Sequence, residues 1–145
     1  MKTTLLSVCV LSLFAACGTK GSEVIAPGGG KQPPAASEGH GAPTELGSLT
    51  IGAHTFRVIQ LGAITAGKEG AIELAFPADK PVPSTVRLWV GIESGEGSVK
   101  QPCGKEGEHG LHGHVEVPKT FPAGSKLWIE IEANGQALRG SIAWQ

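Results

Sequence analysis

Residues 126–142 read KLWIEIEANGQALRGSI, and this stretch decides the fold. Asn134 and Gly135 form a dipeptide that accepts the positive φ angles of a type I′ turn, and a β-type run flanks it on each side. A register that pairs Ala133 with Gln136 also sets opposite one another Ile131 and Leu138, Glu130 and Arg139, Ile129 and Gly140, and Leu127 and Ile142. These pairs are apolar or small on one face and include an opposite-charge pair on the other. The stretch therefore predicts an antiparallel hairpin.

The chain from residue 46 to residue 145 continues this pattern, with short alternating apolar and polar runs separated by turn residues about every eight to twelve positions. No helical periodicity competes with it. Besides the hairpin, strands are predicted at residues 49–51, 55–61, 71–76, 85–93, 99–102 and 111–117. The prediction is an all-β fold, a single antiparallel β-sandwich of immunoglobulin-like or related type.

The composition agrees with this class. The 22 Gly and 10 Pro disfavour a helical bundle, and 40% hydrophobic residues suffice for a core. The 12 basic residues stand against 13 acidic ones, so the chain lacks the excess positive charge that nucleic-acid binding requires. We expect no nucleic-acid partner.

An apolar run over residues 5–14 follows Lys2 and is too short to span a bilayer, which is typical of a signal peptide. The run ends in FAAC at residues 14–17, which resembles the lipobox of bacterial lipoproteins. The resemblance implies that residues 1–16 are removed. It also implies that Cys17 is lipidated and attaches the mature chain to a membrane.

The same resemblance implies a location in the cell envelope. Gly18 rather than Asp follows the cysteine, and the family's sorting rule then implies the outer membrane, on its periplasmic face or at the cell surface. The alternative interpretation is an ordinary secretory signal cut near Ala16.

Residues 17–45 are rich in Gly, Pro and Ala and hold few large apolar side chains, so they are predicted to form a flexible tether. A chain of this composition reaches about 30 Å. His40 lies between two glycines in this segment, where the simplest interpretation is a solvated linker residue.

Residues 103–116, CGKEGEHGLHGHVE, hold the densest set of metal-ligating side chains in the sequence. If residues 111–117 form a strand, His112, His114 and Glu116 project from one face because side chains alternate along a strand. Two imidazoles so placed can share a transition metal, and copper or zinc suits them best. His109, Glu116 and Cys103 are candidate supporting ligands.

Other interpretations of this segment stay open. The histidines are also compatible with a solvated polar face or a pH-sensitive surface. Cys103 lacks a disulfide partner if Cys17 is acylated, so it is either a buried apolar residue or a reactive thiol. A Ser-His-Asp enzyme is not supported, because Asp79 is the sole aspartate and lies in a Pro-flanked loop.

The sequence thus predicts a lipid-anchored envelope protein that binds rather than catalyses, with a transition metal as the expected partner and no catalytic residues. The alternative is a structural or adhesive envelope module that binds another envelope protein, or a small periplasmic enzyme.

The adhesive hypothesis rests on Trp89 and Trp128, which face away from the apolar stripes of their strands. They either form a platform for a partner or are covered by a loop such as residues 77–83.

Overall fold

Two antiparallel sheets pack face to face in residues 39–145, the part of the chain that this structure, a computed structural model, describes. Nine strands are present in this part: β1 (Pro43–Ile51), β2 (His54–Leu61), β3 (Glu69–Ala75), β4 (Val86–Gly91), β5 (Gln101–Pro102), β6 (Gly104–Glu106), β7 (Gly110–Glu116), β8 (Lys126–Ala133) and β9 (Gln136–Ile142). The predicted signal peptide, Cys17 and the tether up to residue 38 lie outside it. Within residues 39–145, no helix has the length and hydrophobicity needed to cross a membrane.

The strand order defines the sandwich. One sheet has the order β1-β2-β3-β7-β6 and the other has the order β5-β4-β8-β9. The predicted all-β sandwich is confirmed. In the five-stranded sheet, β1, β2 and β3 are neighbours in chain order. In an immunoglobulin constant-type domain, the second strand lies beside the fifth. The fold is therefore a related sandwich.

The core lies between the sheets and is built by the alternation seen in the sequence. The completely buried side chains include Val58, Ile72 and Leu74 from the five-stranded sheet, and Leu88, Val90, Leu127, Ile129 and Ile131 from the four-stranded sheet. Burying one such aliphatic side chain contributes about 1.5–3 kcal/mol to stability.

The first strand begins at Pro43, so the folded part starts before residue 46.

The hairpin register is the one that the sequence predicts. Ala133 pairs with Gln136, Glu130 with Arg139, and the apolar pairs follow in step along β8 and β9. Asn134 has a φ of 52° and Gly135 a φ of 72°, as a type I′ turn requires.

The chain changes sheets at Cys103. The short strand β5 pairs with β4 in one sheet, and β6 pairs with β7 in the other. The Cys103 amide donates a hydrogen bond to the Val86 carbonyl (2.9 Å). This crossing places β6 beside β7, the strand that carries His112 and His114.

Trp89 and Trp128 lie on the outer face of the four-stranded sheet, but they do not form an exposed platform. Trp89 is completely buried, and its indole nitrogen donates to the Ile92 carbonyl (2.8 Å). Its ring stacks on Trp128, with centroids 6.2 Å apart, and the Lys100 ammonium lies 4.4 Å from its centroid. Residues 92–100 supply these contacts and cover Trp89.

Next to the tryptophans, Glu130 is buried within a cluster of cations. Its carboxylate lies 2.8 Å from Arg139 Nε, 3.0 Å from Lys100 Nζ and 3.4 Å from Arg87 Nη1. Desolvation acts to raise the pKa of Glu130, but the hydrogen bonds from Arg139 and Lys100 outweigh it and hold the pKa below its ordinary value.

This network makes stability depend on pH in a defined direction. Because the folded-state pKa of Glu130 is the lower one, its charge stabilises the fold above the unfolded-state pKa of about 4.3. The contribution disappears as pH falls through the folded-state value. We expect Glu130→Gln to lower the free energy of unfolding by about 1–3 kcal/mol at pH 7 and by progressively less below about pH 4. Denaturant unfolding across this pH range measures both effects.

Glu132→Gln is the matched control. Glu132 is on the same strand and lies 3.7 Å from Arg87, but its side chain is half exposed. We expect Glu132→Gln to change the free energy of unfolding by no more than about 0.5 kcal/mol. A Glu130→Gln protein as stable as the parent at pH 7 contradicts the assignment of the network as stabilising.

Candidate metal site

Strand β7 sets two histidines on the outer face of the five-stranded sheet. Leu111, Gly113 and Val115 point into the core and are buried, while His112 and His114 lie on the opposite face and are half-buried. This is the alternation that the sequence predicts. It separates the polar face of β7 from the core.

Packing in the core requires a glycine at position 113, between the two histidines. A Cβ at this position would come within 2.8 Å of Leu88 Cδ1 and 2.9 Å of Cys103 Sγ. The absence of a side chain therefore lets the opposite sheet and the crossover approach β7 closely. The same contacts place the Cys103 thiol on the core side of β7.

The two imidazoles face each other through their Nε2 atoms, which are 3.2 Å apart. Their ring centroids are 4.9 Å apart, with an interplanar angle of 70°. In a tetrahedral site with metal–nitrogen bonds of about 2.0–2.1 Å, two ligand nitrogens lie about 3.3 Å apart. The separation of His112 and His114 therefore suits a shared metal ion.

A third imidazole, from His40, completes the cluster. Its ring centroid lies 5.2 Å from that of His112 and 4.9 Å from that of His114. One ligand atom of each residue lies within 4.8 Å of those of the other two. The interpretation of His40 as a solvated linker residue is wrong, because residues 39–42 fold back over the sheet.

Gly62 holds this returning segment in place. Its amide donates to the Ala42 carbonyl (3.0 Å), and its φ of 72° is in the left-handed region. A Cβ at Gly62 would overlap the carbonyl oxygen of His40. Only glycine combines this φ with so close an approach of the His40 backbone.

Two carboxylates face the remaining ring nitrogens. Glu69 Oε1 lies 2.8 Å from His114 Nδ1, and Glu106 Oε2 lies 3.3 Å from His112 Nδ1. The second pair is close but poorly aligned, so both of its atoms are buried without a hydrogen-bond partner among residues 39–145. Metal-binding imidazoles commonly present their second nitrogen to a carboxylate in this way.

This arrangement brings two ring nitrogens close enough to share a proton or a cation. A proton on His114 Nδ1, facing Glu69, leaves His114 Nε2 as an acceptor, which pairs either with an N–H of His112 or with a shared cation. Two acceptors 3.2 Å apart repel each other unless a proton or a metal ion lies between them. The His112 and His114 Nε2 atoms are thus placed to share one proton or one metal ion.

Glu73 adds a third carboxylate to this face, directly across from His112 in the pairing of β3 with β7. Desolvation raises the pKa of Glu73, and the negative charge of Glu106 raises it further, while His112 and Arg57 act in the opposite direction. The negative charge of Glu106 therefore acts on Glu73 as well as facing His112.

The other candidate ligands do not join the cluster. His109 lies between β6 and β7, where its Nε2 is 3.9 Å from a Glu108 carboxylate oxygen. Glu116 is exposed and accepts a hydrogen bond from Gln101 Nε2 (3.0 Å). Cys103 packs against the core, and burial raises the pKa of its thiol to about 12. Its thiol stays protonated at neutral pH, which favours the buried interpretation over the reactive one.

A groove of about 530 Å³ adjoins the histidines, lined by β6, by Gln101 and by His112 and His114. It gives a ligand from solvent access to the two rings. The site therefore combines three imidazoles with an open side, as metal sites with an exchangeable position do.

Comparison of the chain with protein-family models, with curated proteins and with solved structures gives no match. The assignment of this site rests on its geometry and donor chemistry. Three imidazoles converge, a hydrogen bond to Glu69 orients one of them, and Glu106 lies close to a second.

The close contact between the His40 backbone and Gly62 leads to a prediction. Gly62→Ala displaces the His40 backbone while leaving both histidines of β7 in place, so we expect Zn²⁺ affinity to fall about 10- to 100-fold. Isothermal titration calorimetry on the purified full-length chain measures the affinity, and circular dichroism verifies the β-fold.

Gly124→Ala is the control. Gly124 also has a positive φ, 80°, but a Cβ there meets no atom within 4 Å. We expect its Zn²⁺ affinity to stay within about twofold of the parent, because the backbone strain is the same but His40 is untouched. A folded Gly62→Ala protein with unchanged affinity contradicts the role given to Gly62.

Proposed function

We propose that this protein binds a transition-metal ion, copper or zinc, through His40, His112 and His114. The observation that carries the proposal is the convergence of the three imidazoles, with the His112 and His114 Nε2 atoms 3.2 Å apart. Imidazole nitrogen is a preferred ligand of both metals. Carboxylates behind two of the rings add the outer support that such ligands usually have.

The proposed activity is binding rather than catalysis. The cluster is held on β7 and on a segment fixed to Gly62 at the end of β2, two strands away in the same sheet, which gives it a defined shape before an ion arrives. A preformed site loses little conformational entropy on binding. The thiol that a cysteine enzyme would need is protonated and faces the core.

We also propose that the protein is attached to the bacterial cell envelope through a lipid on Cys17, with the outer membrane as its location. The support is the resemblance of residues 14–17 to a lipobox and the Gly-, Pro- and Ala-rich composition of the residues after it. Labelling with a radioactive fatty acid tests this: the parent chain should take up label and Cys17→Ser should not. Label in the variant contradicts the lipid anchor.

Removal of the ligands tests metal binding. We expect the double variant His112→Ala, His114→Ala to lose specific Zn²⁺ and Cu²⁺ binding, since one imidazole alone remains at the site. His40→Ala should weaken binding by about 10- to 100-fold, because it removes one of the three imidazoles while the two facing rings persist. Titration of the full-length chain with each metal gives the affinities.

His109→Ala and Cys103→Ser are the controls, because both residues lie near the site in sequence but outside the imidazole cluster. We expect the metal affinity of each control variant to stay within about twofold of that of the parent. Equal metal binding by the parent and the double histidine variant refutes the proposed function.

A further inference from the structure

Two carboxylates face the imidazole cluster. Glu69 and Glu106 each face one ring nitrogen, at 2.8 and 3.3 Å. Within residues 39–145, the ion pairs of Glu69 and Glu106 involve histidines and no lysine or arginine. Much of this negative charge is therefore left for a bound cation to neutralise.

The donor set contains no sulfur. Cys103 Sγ lies on the core side of Gly113, opposite the imidazoles, and the sequence has a single methionine, Met1. Monovalent copper is selected by thiolate and thioether ligands, whereas imidazole suits the divalent ions of copper, zinc and nickel. The carboxylates also raise the basicity of the rings they face, which strengthens bonds to the more highly charged ion.

We propose, building on the metal-binding function above, that this site takes a divalent ion, Cu²⁺ or Zn²⁺, and discriminates against Cu⁺. Each carboxylate attracts a doubly charged ion more strongly than a singly charged one, and no soft ligand compensates Cu⁺ for the difference. Among the divalent ions, Cu²⁺ binds more tightly than Zn²⁺, following the general order for nitrogen ligands.

Copper itself provides the test, since both oxidation states can be offered to one site. The reduction potential of bound copper reports the ratio of the Cu²⁺ and Cu⁺ affinities. Voltammetry on the copper-loaded full-length chain should give a potential below that of the aqueous ion. The signal from the double variant His112→Ala, His114→Ala is subtracted to remove copper bound elsewhere, including at Cys9 and Cys17.

The carboxylates supply a second variant and a matched control. Glu69→Gln with Glu106→Gln removes two negative charges, so the potential should rise and Zn²⁺ affinity should fall about 10- to 100-fold. Glu116→Gln removes one charge from the same face, but Glu116 bonds to Gln101 rather than to an imidazole. It should leave the Zn²⁺ affinity within about twofold of the parent.

The outcomes separate the two proposals. Histidine-dependent copper with a potential above that of the aqueous ion overturns the divalent selectivity and leaves metal binding intact. An unchanged potential in the double glutamate variant overturns the role of the carboxylates in that selectivity. No histidine-dependent binding of copper or zinc overturns the metal-binding function and this inference together.

Discussion

The close approach of the two sheets at Gly113 is the contact on which the site depends. Leu88 and Cys103 occupy the space where a side chain at this position would lie. With Gly113 directed into the core, strand alternation puts His112 and His114 on the outer face. A shift of β7 by one residue would exchange the two faces, so the packing of the core and the position of the imidazoles are set together.

The features that the sequence predicts correctly are those decided by near neighbours. The hairpin of β8 and β9 is fixed by Asn134, Gly135 and the complementary pairs on either side, all within one short stretch. The two faces of β7 follow from alternation alone. The sandwich class follows from the repetition of short alternating runs.

The parts that sequence reasoning misses depend on distant contacts. His40 joins the site because its carbonyl lies against Gly62, and nothing around residue 40 in the sequence indicates this return. Glu69 reaches His114 through the pairing of β3 with β7, which needs the strand order. Trp89 is buried because residues 92–100 cover an outer face that alternation alone marks as solvent-facing. Glu106 lies within residues 103–116, but its place beside His112 follows from the pairing of β6 with β7, which the sequence does not indicate.

X-ray anomalous scattering at the zinc edge, from crystals of the protein grown with Zn²⁺, tests the central claim most directly. The account predicts one zinc ion with a nitrogen of His40, His112 and His114 each at about 2.0–2.1 Å. Zinc bound without His40, or bound only at other residues of the chain, contradicts the account.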